Sequence, residues 1–466
     1  MACTQDPEND DAPADTSSGD EAPSDTSSAG ESGSGDVTPE AIVGRTGCGE
    51  APSEELAHSG SLMADEVWSA DVVHHVTADF RVLANLTIDP CAIVAIDPGV
   101  HFDVGDTDIP GQLVARGEAD DAGMRSIVFR AATDGSPWAE LRVRPAGVAE
   151  IAIASISDAG ANTGYGSALV VAGLAGGTNF AEPIASTSLD RVVIENAAGH
   201  GLELADWGAL VDGSSDVWIR GSGSEAVRIE QGVAASLPNG LVLEDNMRDE
   251  ILVASSKTFM RDDTFRDVGA PYRKRGDLRV APYEDGDAVT LTIEPGVTIA
   301  FEDEAGSGIY VGSSDARQGV LIAEGTAESP ITFTSAADAP VAGDWMGIVV
   351  AYVPISGTHL EHVVIEYAGG NSGHDSFGCG PKDNDAALIV YGQGVDDGPP
   401  DPVIESSSFD QIAGETVIVS GWVDDEGPNL ADTNTFGDAT PACRVSRPQR
   451  SGTGDVCDGG RDVCWG

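Results

Sequence analysis

The sequence predicts an all-β solenoid, and three observations support this fold class. From about residue 66 onward, the chain consists of short apolar runs, rich in Val and Ile, that end at Gly, Asp, Asn or Pro, which is typical of short strands and turns. Helical spacing is scarce, and glycines are abundant (58) whereas aromatic residues make up only 5%. In addition, "VAIDPGVHFDV" at 94–104 returns as "LTIEPGVTIAF" at 291–301. A repeated unit of short strands indicates coils that bury their apolar faces on one another.

The N-terminal segment 1–46 is predicted to be a disordered acidic tether. Its first 36 residues contain ten Asp or Glu and no Lys or Arg. Such a stretch buries too little apolar surface to offset its chain entropy. Cys3 follows the small residue Ala2 and precedes a polar, Ser-rich stretch, so it resembles the first residue of a mature bacterial lipoprotein, although the printed sequence has no signal peptide before it. The resemblance implies that Cys3 carries a lipid anchor.

The repeated string extends into a longer internal repeat, with strand order kept. Further matches join "GQLVARG" at 111–117 to "GVLIAEG" at 319–325, and "WAELRV" at 138–143 to "WMGIVV" at 345–350. The strings resemble those of right-handed parallel β-helix surface proteins of bacteria, strongly over about 285–420 and more loosely over 80–255. The resemblance implies a right-handed parallel β-helix. Trp138 and Trp345 hold matching positions in the two copies, so we expect both to be packed in the core.

The chain after the tether divides into five predicted regions. "SEELAHSGSLMADEVW" at 53–68 is the one candidate helix, and it belongs to the first region. Whether the third region joins two separate halves or is a loop on one continuous helix stays open. The regions are an N-terminal cap (47–80), a first β-helical half (81–263), a junction or loop (264–290), a second β-helical half (291–423) and an irregular, disulfide-pinned C-terminal segment (424–466).

The cysteines indicate an exported protein. Apart from Cys3 there are six, which is an even number suited to disulfides: Cys48, Cys91, Cys379, Cys443, Cys457 and Cys464. Our preferred pairing is Cys48–Cys91, Cys379–Cys443 and Cys457–Cys464, although six cysteines allow about fifteen arrangements. Such bridges would seal both ends of the solenoid, where strand edges are open.

The net charge of −54 restricts the partners. A surface this negative repels nucleic acid and anionic lipid headgroups, so neither is expected as a partner. No run of 18 apolar residues occurs, so a membrane would be reached only through a lipid anchor. Extracellular polysaccharide or another surface protein is the expected ligand.

Two strings resemble catalytic motifs of enzymes with this fold, but both lack essential residues. "GHG" at 199–201 resembles the motif of polygalacturonases, yet the paired aspartates that such hydrolysis requires are missing upstream of His200. "VWIR" at 217–220 resembles the "VWID" of pectate lyases, with Arg220 in place of the calcium-binding aspartate. No catalytic residue is therefore assigned.

Calcium is the only cofactor that the sequence suggests, and no ligand set is assigned. Acidic loops could supply its oxygen ligands. The doublets are Asp120-Asp121, Asp262-Asp263, Asp396-Asp397 and Asp424-Asp425, and the best segments for an ion are 380–387 and 394–402.

The expected function is that of an exported or cell-surface scaffold with a structural or binding role, with polysaccharide as the ligand class. Its expected location is the outer membrane or cell surface as a lipoprotein, or else secretion. Trp207 and Trp218 are the candidates for an aromatic binding strip, with core packing as the alternative. A carbohydrate-active enzyme, either a polysaccharide lyase or a hydrolase, remains the second hypothesis.

Overall fold

Short parallel strands dominate this protein. The computed structural model describes residues 37–161, 166–174, 183–254, 261–303, 306–314, 316–353, 357–372, 385–392, 402–419, 429–447 and 463–465. Within them the helices are α1 (Pro39–Val43), α2 (Leu430–Thr433) and one 3-10 turn (Ala234–Ser236). Neither α-helix of these described ranges has the length and apolar character that a bilayer crossing needs.

The strands are numbered along the chain. Those before residue 254 are β1 (Glu55–Leu62), β2 (Glu66–Trp68), β3 (Val73–Val82), β4 (Asn85–Ile88), β5 (Ile93–Ile96), β6 (His101–Val104), β7 (Gly111–Arg116), β8 (Glu118–Asp120), β9 (Gly123–Arg125), β10 (Ile127–Ala131), β11 (Glu140–Val143), β12 (Gly147–Ser157), β13 (Ser167–Ala172), β14 (Ile184–Glu195), β15 (His200–Ala205), β16 (Gly208–Leu210), β17 (Ser215–Arg220), β18 (Glu225–Ile229), β19 (Asn239–Glu244) and β20 (Arg248–Val253). Those that follow are β21 (Asp263–Phe265), β22 (Tyr272–Lys274), β23 (Asp277–Val280), β24 (Val289–Ile293), β25 (Thr298–Phe301), β26 (Gly308–Val311), β27 (Gly319–Glu324), β28 (Ile331–Ser335), β29 (Ile348–Val353), β30 (His359–Glu361), β31 (Val363–Glu366), β32 (Leu388–Gly392), β33 (Ile404–Glu405), β34 (Ser408–Asp410), β35 (Thr416–Val419), β36 (Thr435–Phe436), β37 (Cys443–Arg447) and β38 (Val463–Trp465).

Each coil of the chain passes through three parallel sheets in turn. Strands β5, β6 and β7 lie in the first, second and third sheet, and β10, β11 and β12 pair with them one coil later. The long strands β12 and β14 bend from the third sheet into the first. The first part of β12 pairs with β7 and its last part with β10, while the first part of β14 pairs with β16 and its last part with β17. This arrangement confirms the predicted parallel β-helix.

The second sheet runs without interruption through the predicted junction. Strand β20 pairs with β22, and β22 pairs with β25, so the coils continue across 264–290. That segment was predicted to interrupt the strands, but β21, β22 and β23 are largely or wholly within it. The strands there are only three or four residues long, which is why the apolar pattern of the sequence is weak at this point. The described chain therefore forms one continuous helix.

Stacked apolar side chains fill the interior. One row follows the second sheet in register and is at most 5% exposed; it contains Phe80, Phe102, Leu141, Leu169, Leu202, Val227, Ile251, Tyr272, Ile299, Phe333, Ile365 and Phe409. Burial of each such side chain contributes about 1.5–3 kcal/mol. At the corner before the third sheet, a Cβ on Gly111 or Gly147 would lie 1.9 or 2.0 Å from the carbonyl oxygen of Val82 or Val104, so only glycine fits.

The sequence repeat does not coincide with the structural repeat. "IDPGV" and "IEPGV" both turn from the first sheet to the second. In the second copy an additional strand, β26, lies between β25 and "GVLIAEG", whereas in the first copy "GQLVARG" follows β6 directly. As a result, "GQLVARG" lies in the third sheet and "GVLIAEG" lies in the first. The prediction of equivalent positions for the matched strings was therefore wrong beyond the first turn. Similar strand–turn strings recur because every corner of the coil needs turn-forming residues between two strands with buried apolar side chains.

The predicted helix at 53–68 was wrong, because these residues form β1 and β2. Strand β1 pairs in parallel with β3, and the register shifts between His58 and Gly60, where φ is +78° at the glycine. Pairing with the next coil has overridden the local helical pattern. The boundary of the tether also needs correction, because residues 37–46 are placed and packed. Residues 1–36, and Cys3 with them, lie outside the described residues.

Residues 37–48 form a strap across the outer face of the first sheet. Ile42 is fully buried in a cluster with Met124, Ile153 and Val193. The Ser126 hydroxyl donates to the Ile42 carbonyl (2.5 Å), and the Gly47 N–H donates to the Met124 carbonyl (2.9 Å). The strap thus spans several coils.

The disulfides confirm one predicted pair and correct the others. Cys48 is bonded to Cys91, as predicted, with Cα atoms 5.6 Å apart. Cys443 is bonded to Cys464 rather than to Cys379, because β38 folds back antiparallel on β37 and brings the two cysteines to a Cα distance of 5.4 Å. The predicted pair Cys457–Cys464 is therefore wrong as well. Cys379 and Cys457 lie outside the described residues.

The C-terminal segment is more regular than predicted. Strand β36 pairs with β34, and β37 pairs with β35, both in parallel. The coils therefore continue beyond residue 423, where the second half was predicted to end. Turn-rich composition concealed these strands, each of which has five residues or fewer.

Removing the first disulfide should loosen the strap. The double substitution Cys48→Ser and Cys91→Ser is expected to lower the free energy of unfolding by about 2–4 kcal/mol, because the unfolded chain is then less constrained. Urea unfolding measures the loss, and hydrogen exchange should show faster exchange at residues 37–48 than in β25 or β28. Unchanged stability together with unchanged exchange would contradict this role.

Candidate functional site

A row of charged side chains follows the outer face of the second sheet. Because side chains alternate along a strand, the residues next to the buried ones point outward, and parallel register aligns them from coil to coil. Within this row, Val170 and Leu252 interrupt the charges. The charged members, called the charged row below, are Arg81, Asp103, Arg142, Glu203, Arg228 and Arg273.

At its N-terminal end the charged row forms a dense ion-pair network around Asp103. The carboxylate of Asp103 accepts from Arg142 Nε (3.0 Å) and Arg144 Nη1 (3.4 Å), and its side chain is only 6% exposed. Asp106 lies 2.6 Å from Arg81 Nη1 and 3.1 Å from Arg144 Nη2. The Thr107 N–H, followed by Arg144 and Arg81, holds the pKa of Asp106 below its ordinary value. Asp106 is therefore ionised, and mutual pairing holds the side chains of the network in place.

Further along, Glu203 and Glu302 are also paired with arginines. Glu203 is fully buried; it accepts from the Ser167 hydroxyl (2.5 Å) and contacts Arg228. Glu302 lies 2.8 Å from Arg273 Nε and 3.0 Å from Arg275 Nε. Burial by itself would raise the pKa of Glu302, but the hydrogen bonds from the two arginines outweigh it and leave this pKa lowered.

A groove of about 360 Å³ adjoins the network at the corner between the second and third sheets. Its floor is the outward row Asn85, Gln112 and Val148, which are in register on β4, β7 and β12. Its wall is made of stacked turns that include Leu83, Ala84, Pro110 and Ala146. The Ala146 N–H donates to the Asp106 carbonyl (3.0 Å), so the wall is tied directly to the ion-pair network.

The groove has the chemistry of a site for a neutral polar chain. Two amide side chains provide both donors and acceptors, and the surrounding side chains are aliphatic. Nothing in the local sequence indicates this site, because Asn85 and Gln112 are 27 positions apart and lie in ordinary strand strings. Only the register of the coils brings them together.

The two tryptophans predicted as a binding strip lie on different surfaces. Trp207 is half-buried in the turn between β15 and β16 and packs against the interior. Trp218 points outward from β17 in the first sheet and packs against the strap. They form no common strip.

The motif-like residues have structural contacts. His200 Nδ1 donates to the Glu225 carbonyl (2.8 Å), which ties one coil to the next, and burial lowers the pKa of this imidazole. Arg220 pairs with Glu195 (2.7 Å) on the first sheet and with Glu40 (2.9 Å) in the strap.

The acidic doublets that the structure describes also have structural contacts. Asp262 accepts from the Thr290 N–H (2.7 Å), while buried Asp263 accepts from several backbone N–H groups. Asp120 accepts from the Ala122 N–H (2.8 Å) in a hairpin formed by β8 and β9. Asp396-Asp397, Asp424-Asp425 and most of the segments 380–387 and 394–402 lie outside the described residues. In the described part of the chain, no group of three or more metal-ligating side chains is arranged to hold an ion.

Comparison with known proteins gives one match. A family model described as a pectate-lyase like beta helix domain matches residues 260–385, which is roughly a quarter of the chain. No curated protein and no solved structure matches the chain. The match agrees with the parallel coils on either side of β25 and supports a polysaccharide-related or surface β-helix protein.

Proposed function

We propose that this protein is an exported cell-surface scaffold that binds polysaccharide in the groove beside the charged row. The observation that carries the proposal is the in-register pair of amides, Asn85 and Gln112, on the floor of a groove whose wall is braced by the Asp103–Asp106 network. A site that is already rigid loses little conformational entropy when a flexible glycan binds. The pectate-lyase-like domain supports a polysaccharide ligand in general terms.

The ligand that best fits the charge of the protein is a neutral or cationic glycan. The net charge of −54 disfavours polyuronates and other polyanions in the absence of cations. The arginines of the charged row do not offset this field, because Asp103, Glu203 and Glu302 pair with them.

The two disulfides support an exported location, because disulfides persist in oxidising compartments. Lipidation of Cys3 would then hold the β-helix at the membrane through the acidic segment before the strap. This part of the proposal rests on the sequence of residues 1–36.

A hydrolytic function is less favoured by the electrostatics of Asp106 and Glu302, the two carboxylates that pair with arginines beside the charged row. Glycoside hydrolysis by two carboxylates needs one acid whose pKa is raised so that it can donate a proton. Asp106 and Glu302 instead have lowered pKa values, because hydrogen bonds to the carboxylates and nearby arginines favour the ionised form. A lyase or hydrolase therefore stays the second hypothesis.

The proposal is tested by retention and cleavage of a polysaccharide panel. Neutral, cationic and acidic polysaccharides are incubated with the chain, with and without calcium, and both bound protein and newly formed chain ends are measured. We expect retention of a neutral or cationic glycan without cleavage. Cleavage would favour the enzyme, and no retention of any glycan would refute the binding role.

Removing the groove amides should weaken that retention. The double substitution Asn85→Ala and Gln112→Ala is expected to lower the affinity about tenfold or more, since each lost hydrogen bond is worth about 1 kcal/mol. Gln318→Ala is the matched control, because this partly buried glutamine precedes β27 and lies outside the groove. Affinity electrophoresis compares the variants, and equal losses in both would place the glycan elsewhere.

A further inference from the structure

The first coil of the β-helix has an open strand edge. Strand β1 pairs with β3 on one side, and among the residues that the structure describes no strand pairs with its other side. The Val73 N–H donates to the Glu54 carbonyl (2.8 Å), which directs the backbone groups of Glu54 toward β3. Since these groups alternate along a strand, the N–H and C=O of Glu55 and Ala57 face the outer edge.

Apolar surface is exposed at the same end. Leu56 is 49% exposed, although its register partner on the next coil, His74, is buried. Met63 and Val67, in the same coil, are 71% and 63% exposed. The His58 ring lies 4.2 Å from that of Trp68 and partly covers the interior. An edge with exposed apolar side chains readily accepts a further strand.

The charge around this edge selects what can bind. Residues 46–80 contain seven Asp or Glu and no Lys or Arg, and the Glu55 side chain at the edge is 61% exposed. Asp65 accepts a hydrogen bond from the Asn85 N–H (3.0 Å), which lowers the pKa of its carboxyl and keeps it ionised. A second copy of this edge would bring the same seven acidic residues. The segment 1–36 would bring ten, so both are repelled.

We propose that the outer edge of residues 55–58 accepts an extended basic segment of a partner protein as an additional β-strand. Backbone hydrogen bonds to Glu55 and Ala57 would provide the pairing, which is the mode known as β-strand addition. Alternate side chains of the partner would cover Leu56 and face the carboxylate of Glu55. The register shift between His58 and Gly60 limits this regular edge to about four residues.

A synthetic peptide tests this proposal directly. A fluorescent peptide of about ten residues, alternating Lys and Val with blocked ends, is titrated into the intact chain and followed by anisotropy. We expect it to bind at least about tenfold more tightly than the corresponding Glu–Val peptide, and more weakly as salt is added.

Backbone pairing is separated from general attraction to an acidic protein by Ala57→Pro. Proline removes the outward N–H of residue 57 and leaves the pairing of β1 with β3 in place, so binding of the Lys–Val peptide should be lost. Ala57→Ser keeps the N–H and is the matched control, which should bind like the natural chain. Equal binding by the proline variant would overturn the proposal, as would equal binding of the two peptides or no binding of either.

Charge reversal provides a second test that does not alter the backbone. The double substitution Glu54→Lys and Glu55→Lys should shift the preference toward the Glu–Val peptide, because the two side chains beside the edge then carry the opposite charge. An unchanged preference in a variant with unchanged thermal unfolding would also overturn the proposal.

Discussion

Replacing Asp263 by alanine is expected to lower the free energy of unfolding by about 3–5 kcal/mol. This carboxylate is 6% exposed and accepts from the N–H groups of Gly232 (3.1 Å), Ala234 (3.3 Å), Ala235 (3.1 Å) and Thr264 (2.9 Å). It therefore joins the irregular turn after β18 to the next coil. Alanine leaves the buried N–H groups of Gly232 and Ala234 without acceptors, and each such group costs about 1–3 kcal/mol.

The neighbouring Asp262 provides the control for that substitution. Among the described residues, its carboxylate accepts one hydrogen bond, from the Thr290 N–H, and its side chain is exposed. Asp262→Ala should therefore cost less than about 1 kcal/mol. Urea unfolding of both variants gives the comparison, and equal losses would show that Asp263 has no special role.

The pH dependence of Asp263→Asn provides a further check on the same group. Burial raises the pKa of Asp263 to about 6, compared with 3.8 for an ordinary aspartate. The folded state therefore binds a proton at Asp263 more tightly than the unfolded state does, and protonation of Asp263 stabilises the fold. This stabilisation is complete below pH 3.8 and is lost as the pH rises through about 6. The difference corresponds to about 3 kcal/mol. Asparagine cannot ionise, so urea midpoints between about pH 4 and pH 7 should lack this decrease.

Replacing Trp345 by alanine is expected to cost about 3–5 kcal/mol. Trp345 is 1% exposed, its ring stacks on Phe301 with centroids 4.5 Å apart, and its Nε1–H donates to the Glu366 carbonyl (2.8 Å). Alanine would leave a large cavity at the corner between the second and third sheets. Guanidinium unfolding of the variant measures the cost.

Trp345→Phe separates packing from hydrogen bonding at this corner. Phenylalanine keeps much of the aromatic packing but leaves the Glu366 carbonyl without its donor, so the loss should be about 1–3 kcal/mol. Trp138, whose Nε1–H donates to the Ser157 carbonyl (2.8 Å), should respond in the same way to both substitutions. Equal losses for phenylalanine and alanine would show that packing of the ring contributes little.

Trp138 and Trp345 also show what the sequence repeat could predict, namely burial of both rings, and what it could not predict, namely their position in the coil. Each is buried and donates to the carbonyl of the last residue of a strand, Ser157 in β12 and Glu366 in β31. Their structural role was predicted correctly, but Trp138 lies at the corner between the first and second sheets. A matched string therefore predicts that the chain turns a corner there, but it does not predict which two sheets that corner joins.

The strand pattern by itself determined the fold class. Short runs rich in Val and Ile, ended by turn-forming residues, leave few alternatives to a solenoid, because no single unit can bury its apolar face alone. The pairing Cys48–Cys91 was also predicted from the sequence. Helical propensity at 53–68 was misleading, since pairing with β3 decided the conformation.

Only the tertiary structure decided which side chains meet. Asn85 and Gln112 become neighbours because one coil separates them, and the length of that coil depends on turns of variable size. The tertiary structure likewise decided the ion pairs of Asp103, the contact between Trp218 and the strap, and the disulfide between Cys443 and Cys464. Local patterns encode strands and turns, whereas register across coils depends on the summed lengths of all the loops between them, which no local pattern records.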